Sequence, residues 1–153
     1  REPSQNHAAR RSQPSIASLQ SDPLALHAMS PCLEKLRRLA LAEVETTVAA
    51  LPGALREQAQ RLPLTFERRP SRAVQADGIA SDTLGLFVGP THAEDGSAAW
   101  PIPSQIILYL YNLWDFAEGD ETIFQEEVRT TYLHELGHYL GLDEDDLSER
   151  GLE

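Results

Sequence analysis

His134, Glu135 and His138 stand in the order His-Glu-x-x-His inside the stretch Thr-Tyr-Leu-His-Glu-Leu-Gly-His-Tyr-Leu-Gly, residues 131–141. Side chains four apart on a helix lie one above the other, roughly 6 Å along the axis, so two imidazoles at this spacing can meet one cation. Zinc takes His nitrogen at about 2.0–2.1 Å in a tetrahedral set and keeps one position open when it is catalytic. A glutamate directly after the first ligand is placed to take a proton from a metal-activated water. The pattern predicts a Zn2+-dependent hydrolase, foremost a peptidase, with Glu135 as general base.

The flanking residues supply what such a site still needs. Between Thr131 and Leu140 the only charged residue is Glu135, as expected for a helix buried on several sides. Gly141 follows three residues after His138, where φ > 0 can end the helix and turn the chain back toward the metal. The acidic run Asp143-Glu144-Asp145-Asp146 comes next. Glu144 lies six residues after His138, where metzincin-type patterns place their third ligand. It is the first choice for that role, with Asp143 or Asp145 reachable by a small change of turn. The plainer alternative is a helix whose histidines only pack, followed by a solvated acidic cap.

The stretch from Ile106 to Leu152 resembles the small bacterial zinc metallopeptidases known as minimal, metzincin-like zincins. An apolar strand, here Ile106-Ile107-Leu108-Tyr109-Leu110-Tyr111, precedes an acidic approach and a helix carrying His-Glu-x-x-His-x-x-Gly-x-x-Asp. His134, Glu135, His138 and Gly141 match; Glu144 stands where the family has Asp. The resemblance implies an α+β minimal zincin-like domain. A small mixed sheet would sit with an N-terminal helix and a C-terminal active-site helix, binding zinc and taking a peptide or protein substrate. It also implies that an extended substrate pairs with the strand before the active-site helix, or with an adjacent edge.

The net charge of −11 is unevenly placed. Residues 115–153 hold 13 acidic and 2 basic side chains, whereas the other 114 residues hold 11 of each. A field of that sign repels nucleic acid and favours cations or basic partners. No apolar run approaches the 18 residues of a membrane span. The single cysteine, Cys32, permits no internal disulfide and fits a reducing, cytoplasmic setting. It is expected to be a packed small hydrophobe.

The elements that must position the motif can be read outward from it. Residues 1–28 are polar and aperiodic, an expected disordered extension ahead of a domain over 29–153. Met29, the only methionine, reads as the native initiator, and Ser30-Pro31 as a helix start. Leu33, Leu36, Leu39, Ala40, Val44 and Val48 then form one stripe of a helix over 31–50. Pro52-Gly53 breaks it, a short helix over 54–62 follows, and Leu64–Glu67 and Leu84–Val88 read as strands. Residues 89–104 form a long loop in which His92 is a remote candidate ligand. The unbroken apolar run 105–113 predicts a buried strand with Tyr109 and Tyr111 on one face. Trp114 and Phe116 are expected over the core, under a turn at Glu118-Gly119-Asp120. Asp120 should cap the motif helix. Tyr132 and Tyr139 are weak candidates for stabilising an oxyanion.

Two other classes stay open. A metal-dependent endoribonuclease of the rRNA-maturation type shares part of the spacing, in Gly141-Leu142-Asp143. It differs in lacking a glutamate at position 135 and in having His at position 144, and the acidity here opposes it. A non-catalytic zincin-fold binding or regulatory module is the other, favoured by the lack of a methionine for a Met-turn.

Overall fold

A computed structural model describes residues 31–94 and 102–149. The proposed extension, Met29 and the Ser30 cap lie outside these residues. Among these described residues nine elements follow in chain order: α1 Leu33–Ala50, α2 Gly53–Arg61, β1 Leu64–Glu67, α3 Arg72–Ala76, β2 Gly85–Val88, β3 Gln105–Tyr109, α4 Leu110–Phe116, α5 Glu121–Tyr139 and α6 Glu144–Glu149.

The three strands form one mixed sheet in the order β1-β3-β2. β3 pairs parallel with β1, Leu64 opposite Ile106, and antiparallel with β2, Gly85 opposite Leu108. Among the described residues β1 and β2 are the edge strands, and β3 is flanked on both sides. Helices α1, α4 and α5 enclose the core with Ile106 and Leu108 of β3. On α1 the inward residues are Leu36, Ala40, Val44 and Thr47, the i, i+4 stripe of an amphipathic helix. α5 is buried on more than one side: Phe124, Val128 and Leu136 join the core, while Thr131 and Glu135 are buried as well. Its entry is set by Asp120, whose side chain accepts from the Ile123 amide at 2.9 Å, after a turn in which Glu118 and Gly119 both have positive φ.

Four expectations are corrected. The apolar run 105–113 is not one strand, because the chain turns helical at Leu110. Leu110, Leu113 and Ala117 follow helical spacing into the core, and a continuous apolar run cannot by itself distinguish a buried strand from a buried helix. Asn112 fastens this helix. Its amide donates to the carbonyls of Ser81 and Thr83 at 2.9 and 2.8 Å, and its Oδ1 accepts from Arg69. Tyr109 and Tyr111 therefore belong to different elements and share no strand face.

Trp114 packs edge-on against Phe124, but Phe116 is 59% exposed instead of covering the core. Cys32 is exposed, not packed, at the start of α1, where its side chain makes no cap bond. Between β1 and β2 lies α3, begun by Ser71, whose hydroxyl accepts from the Val74 amide at 3.3 Å.

Candidate metal centre

The His-Glu-x-x-His pattern occupies the last turns of α5, and helical geometry brings His134 and His138 together. Their Nε2 atoms lie 3.0 Å apart, with the rings nearly perpendicular at 83°. Directly beyond, the helix stops in a Schellman turn. Gly141, at φ 82°, donates to the His138 carbonyl, and Leu142 donates back to the Gly137 carbonyl, both at 3.0 Å. The turn reverses the chain so that α6 begins beside the imidazoles. Glu144 is carried there: Oε1 is 3.1 Å from His138 Nε2 and Oε2 is 3.5 Å from His134 Nε2.

The neighbouring acids do something else. Asp143 Oδ1 accepts from the Asp146 amide at 2.9 Å, and Asp146 Oδ2 accepts from the Asp143 amide at 3.2 Å. This reciprocal pair is a capping box in which each carboxylate satisfies an amide at the start of α6. The helix-cap alternative thus describes Asp143 and Asp146, while Glu144, between them, faces the histidines. Asp145 is exposed and outside the group.

The donor set itself argues for a cation. Three electron-pair donors, one of them a carboxylate, crowd within 3.0–3.5 Å of each other, and without a cation or a shared proton they repel. Ligands about 2.05 Å from a tetrahedral ion stand about 3.3 Å from one another, which matches these separations. The His138 ring is oriented from behind. Its Nδ1 lies 3.3 Å from the Leu142 carbonyl, an acceptor that holds the Nδ1–H tautomer and leaves the Nε2 lone pair facing forward.

Glu135 is 8% exposed. Its Oε2 accepts from the Phe87 amide of β2 at 2.8 Å. Burial pushes its carboxyl above the usual range, and Glu144 adds to this. His138, His134 and the Phe87 N–H pull the other way without cancelling it. The close approach of β2 depends on Gly85. A Cβ there would stand 2.5 Å from Thr131 Cγ2 and 3.2 Å from Glu135 Cγ. A cleft of about 340 Å³ is lined by Gly85 and Thr131 and reaches His134 and Glu135. A larger hollow of about 640 Å³ lies beside Arg69 and Asn112, away from the motif.

The remaining candidates sit elsewhere. His92 packs against the far side of the α5 terminus. Its backbone amide donates to the Tyr139 carbonyl at 2.6 Å, and its Nδ1 lies 3.2 Å from the Tyr139 hydroxyl. Its Nε2 lies 3.2 Å from the Gln58 amide nitrogen, a donor, which makes Nε2 the acceptor and leaves Nδ1–H for Tyr139. Tyr139 is buried, and so is Tyr132, whose hydroxyl is pushed up to about 12 by burial and lines a hollow between α1 and α2. The Tyr139 ring packs against Phe87 and His92. Sequence reasoning missed Gly85 and Phe87. A glycine interrupting an apolar strand pattern was the available signal for a close backbone approach.

A family model described as zincin-like metallopeptidase matches residues 59–152, more than half of the chain and the whole of the site. No curated protein matches the sequence. The α+β architecture, with its small mixed sheet and a motif helix near the C-terminal end, agrees with that match, and the chain belongs to the zincin-like metallopeptidase family.

Proposed function

We propose that the protein is a zinc metallopeptidase in which His134, His138 and Glu144 hold the metal and Glu135 is the general base. The observation that carries this reading is the meeting of two imidazole nitrogens and a carboxylate within ligand reach of one another, beside a buried carboxyl. When bound, zinc supplies Lewis acidity, polarising a carbonyl and making water acidic near neutral pH.

The chain's own residues do the rest. Glu135 takes the proton of the attacking water on Oε1 while Oε2 stays tied to the Phe87 N–H, which fixes the direction of the transfer. A carboxyl raised above its usual range is a stronger base toward that water, and the same carboxyl then returns the proton to the leaving amine. The edge strand β2 takes the extended peptide through the outward backbone groups that the Glu135–Phe87 bond leaves, a role that β3 cannot fill because β1 and β2 flank it on both sides.

A second reading, a zincin-fold module that binds without turnover, draws on one observation. The Glu135–Phe87 bond is also a buried structural tie between β2 and α5. Elemental analysis of the protein and of Glu144→Ala, followed by peptide hydrolysis with Glu135→Gln, separates the two. About one zinc per chain, lost in Glu144→Ala, with turnover abolished and zinc retained in Glu135→Gln, is the expected result. Zinc retained in Glu144→Ala moves the third ligand elsewhere. No zinc after reconstitution sinks the metallopeptidase reading.

A further inference from the structure

We infer that the cleft beside the metal centre selects peptides with lysine or arginine next to the scissile bond, and that Glu127 is the residue that recognises it. The inference rests on the peptidase reading and adds the substrate class.

The cleft has two kinds of wall. Leu84, just before β2, and exposed Phe116 are apolar, while Thr130 and half-buried Glu127 are polar. That division matches a side chain with an apolar stem and a charged head, which buries its methylenes along hydrocarbon and keeps the head at the polar end. Seven residues separate Glu127 from His134, two turns and about 10 Å along α5. A lysine or arginine head reaches about 6–7 Å from its Cα. A charge-assisted hydrogen bond of about 2.8 Å closes the rest of the gap.

Among the described residues nothing competes for that carboxylate. Among the described residues Glu127 makes no hydrogen bond or ion pair, and no lysine or arginine lines the cleft. Arg129, two residues on, points to Glu43 of α1 at 3.5 Å. A volume of about 340 Å³ lies at the lower end of ligand pockets, roughly 300–1,000 Å³, and suits one side chain better than a bulky group. Leucine would fill the apolar part but leave Glu127 without a partner. Glutamate would add a like charge.

The test uses three peptides that differ only in one residue beside the cleavable bond, Lys, Leu or Glu, with the zinc-loaded full chain and Glu127→Gln. The Lys peptide is expected to be cleaved about tenfold faster by kcat/KM than the Leu peptide, with the Glu peptide slowest, and the Lys-to-Leu ratio should fall to near one in Glu127→Gln. Binding of the same peptides to zinc-loaded Glu135→Gln, with and without Glu127→Gln, gives a readout free of turnover. Equal cleavage of all three, or a Lys preference that survives Glu127→Gln, overturns the assignment and leaves the peptidase reading standing. No cleavage, with tighter binding of the Lys peptide that depends on Glu127, supports the assignment and overturns the peptidase reading. Neither cleavage nor selective binding overturns both.

Discussion

His138 and His92 lie against the same end of α5, and their rings are used in opposite ways. The backbone behind His138 engages Nδ1 and turns Nε2 toward another imidazole and a carboxylate. His92 has its two nitrogens against the Tyr139 hydroxyl and the Gln58 amide. One ring is set up to receive a cation and the other to brace a loop. A histidine becomes a metal ligand through what surrounds its second nitrogen, and residue type alone does not distinguish the two.

Substitution breaks this contrast most directly. His138→Ala should reduce bound zinc from about one per chain to none and abolish peptide hydrolysis, as measured by elemental analysis and peptide assay. His92→Ala should keep the zinc and cost about 1 kcal/mol in denaturant unfolding, because the ring's bonds to the Tyr139 hydroxyl and the Gln58 amide are lost. Zinc loss in His92→Ala would erase the distinction.

The next effect concerns the strand that meets the motif face. Gly85→Val should cost about 2 kcal/mol or more and reduce kcat/KM strongly, because the branched Thr131 cannot yield to the new carbon. Unchanged unfolding and activity would show that β2 need not approach so closely.

Within the acidic run the contrast is finer. Asp143→Ala removes an acceptor at the start of α6 and should lower stability by about 1 kcal/mol while weakening zinc binding through Glu144. Asp145→Ala should change neither quantity. Zinc lost in Asp145→Ala but kept in Glu144→Ala would reassign the third ligand.

The smallest effect is a pH dependence of the metal-free protein. Burial raises the Glu135 carboxyl above its unfolded value, so folding favours the protonated form. Its contribution to stability is therefore fully present below the unfolded pKa and is lost as pH rises through the folded one. Glu135→Gln, neutral throughout, should be the more stable protein near pH 7, with its advantage shrinking toward acid pH. Thermal unfolding across pH checks the sign. An advantage that grows toward acid pH would contradict it.

Much of this arrangement was legible in the residues. The α1 stripe, the break at Pro52-Gly53, the Asp120 cap and the Gly141 turn all rest on local rules that tertiary packing left intact. Where sequence reading failed, the deciding partner was distant. β3 ends at Tyr109, and the Asn112 side chain anchors α4 to carbonyls about thirty residues earlier, a contact invisible to periodicity. Phe116 looked like a core residue by type, but α4 turns it outward beside the cleft. Glu144 could be suspected from spacing. Its separation from Asp143 and Asp146 needed the capping pair to be seen.

The His134–Glu144 segment is a chelating loop of eleven consecutive residues. Closing so short a loop costs little chain entropy, so the ion would clasp chain that is already local and join no remote parts of the fold. Metal affinity should then couple mainly to the docking of α6, while the core closed by α1, α4 and α5 holds the metal-free protein folded. The general base is different in kind. Its anchor at Phe87 lies 48 residues away, so it reports on the whole sheet. Cargo of the site and readiness of its base can thus be lost separately: unfastening α6 empties the metal, and shifting β2 misaims the base while the metal stays.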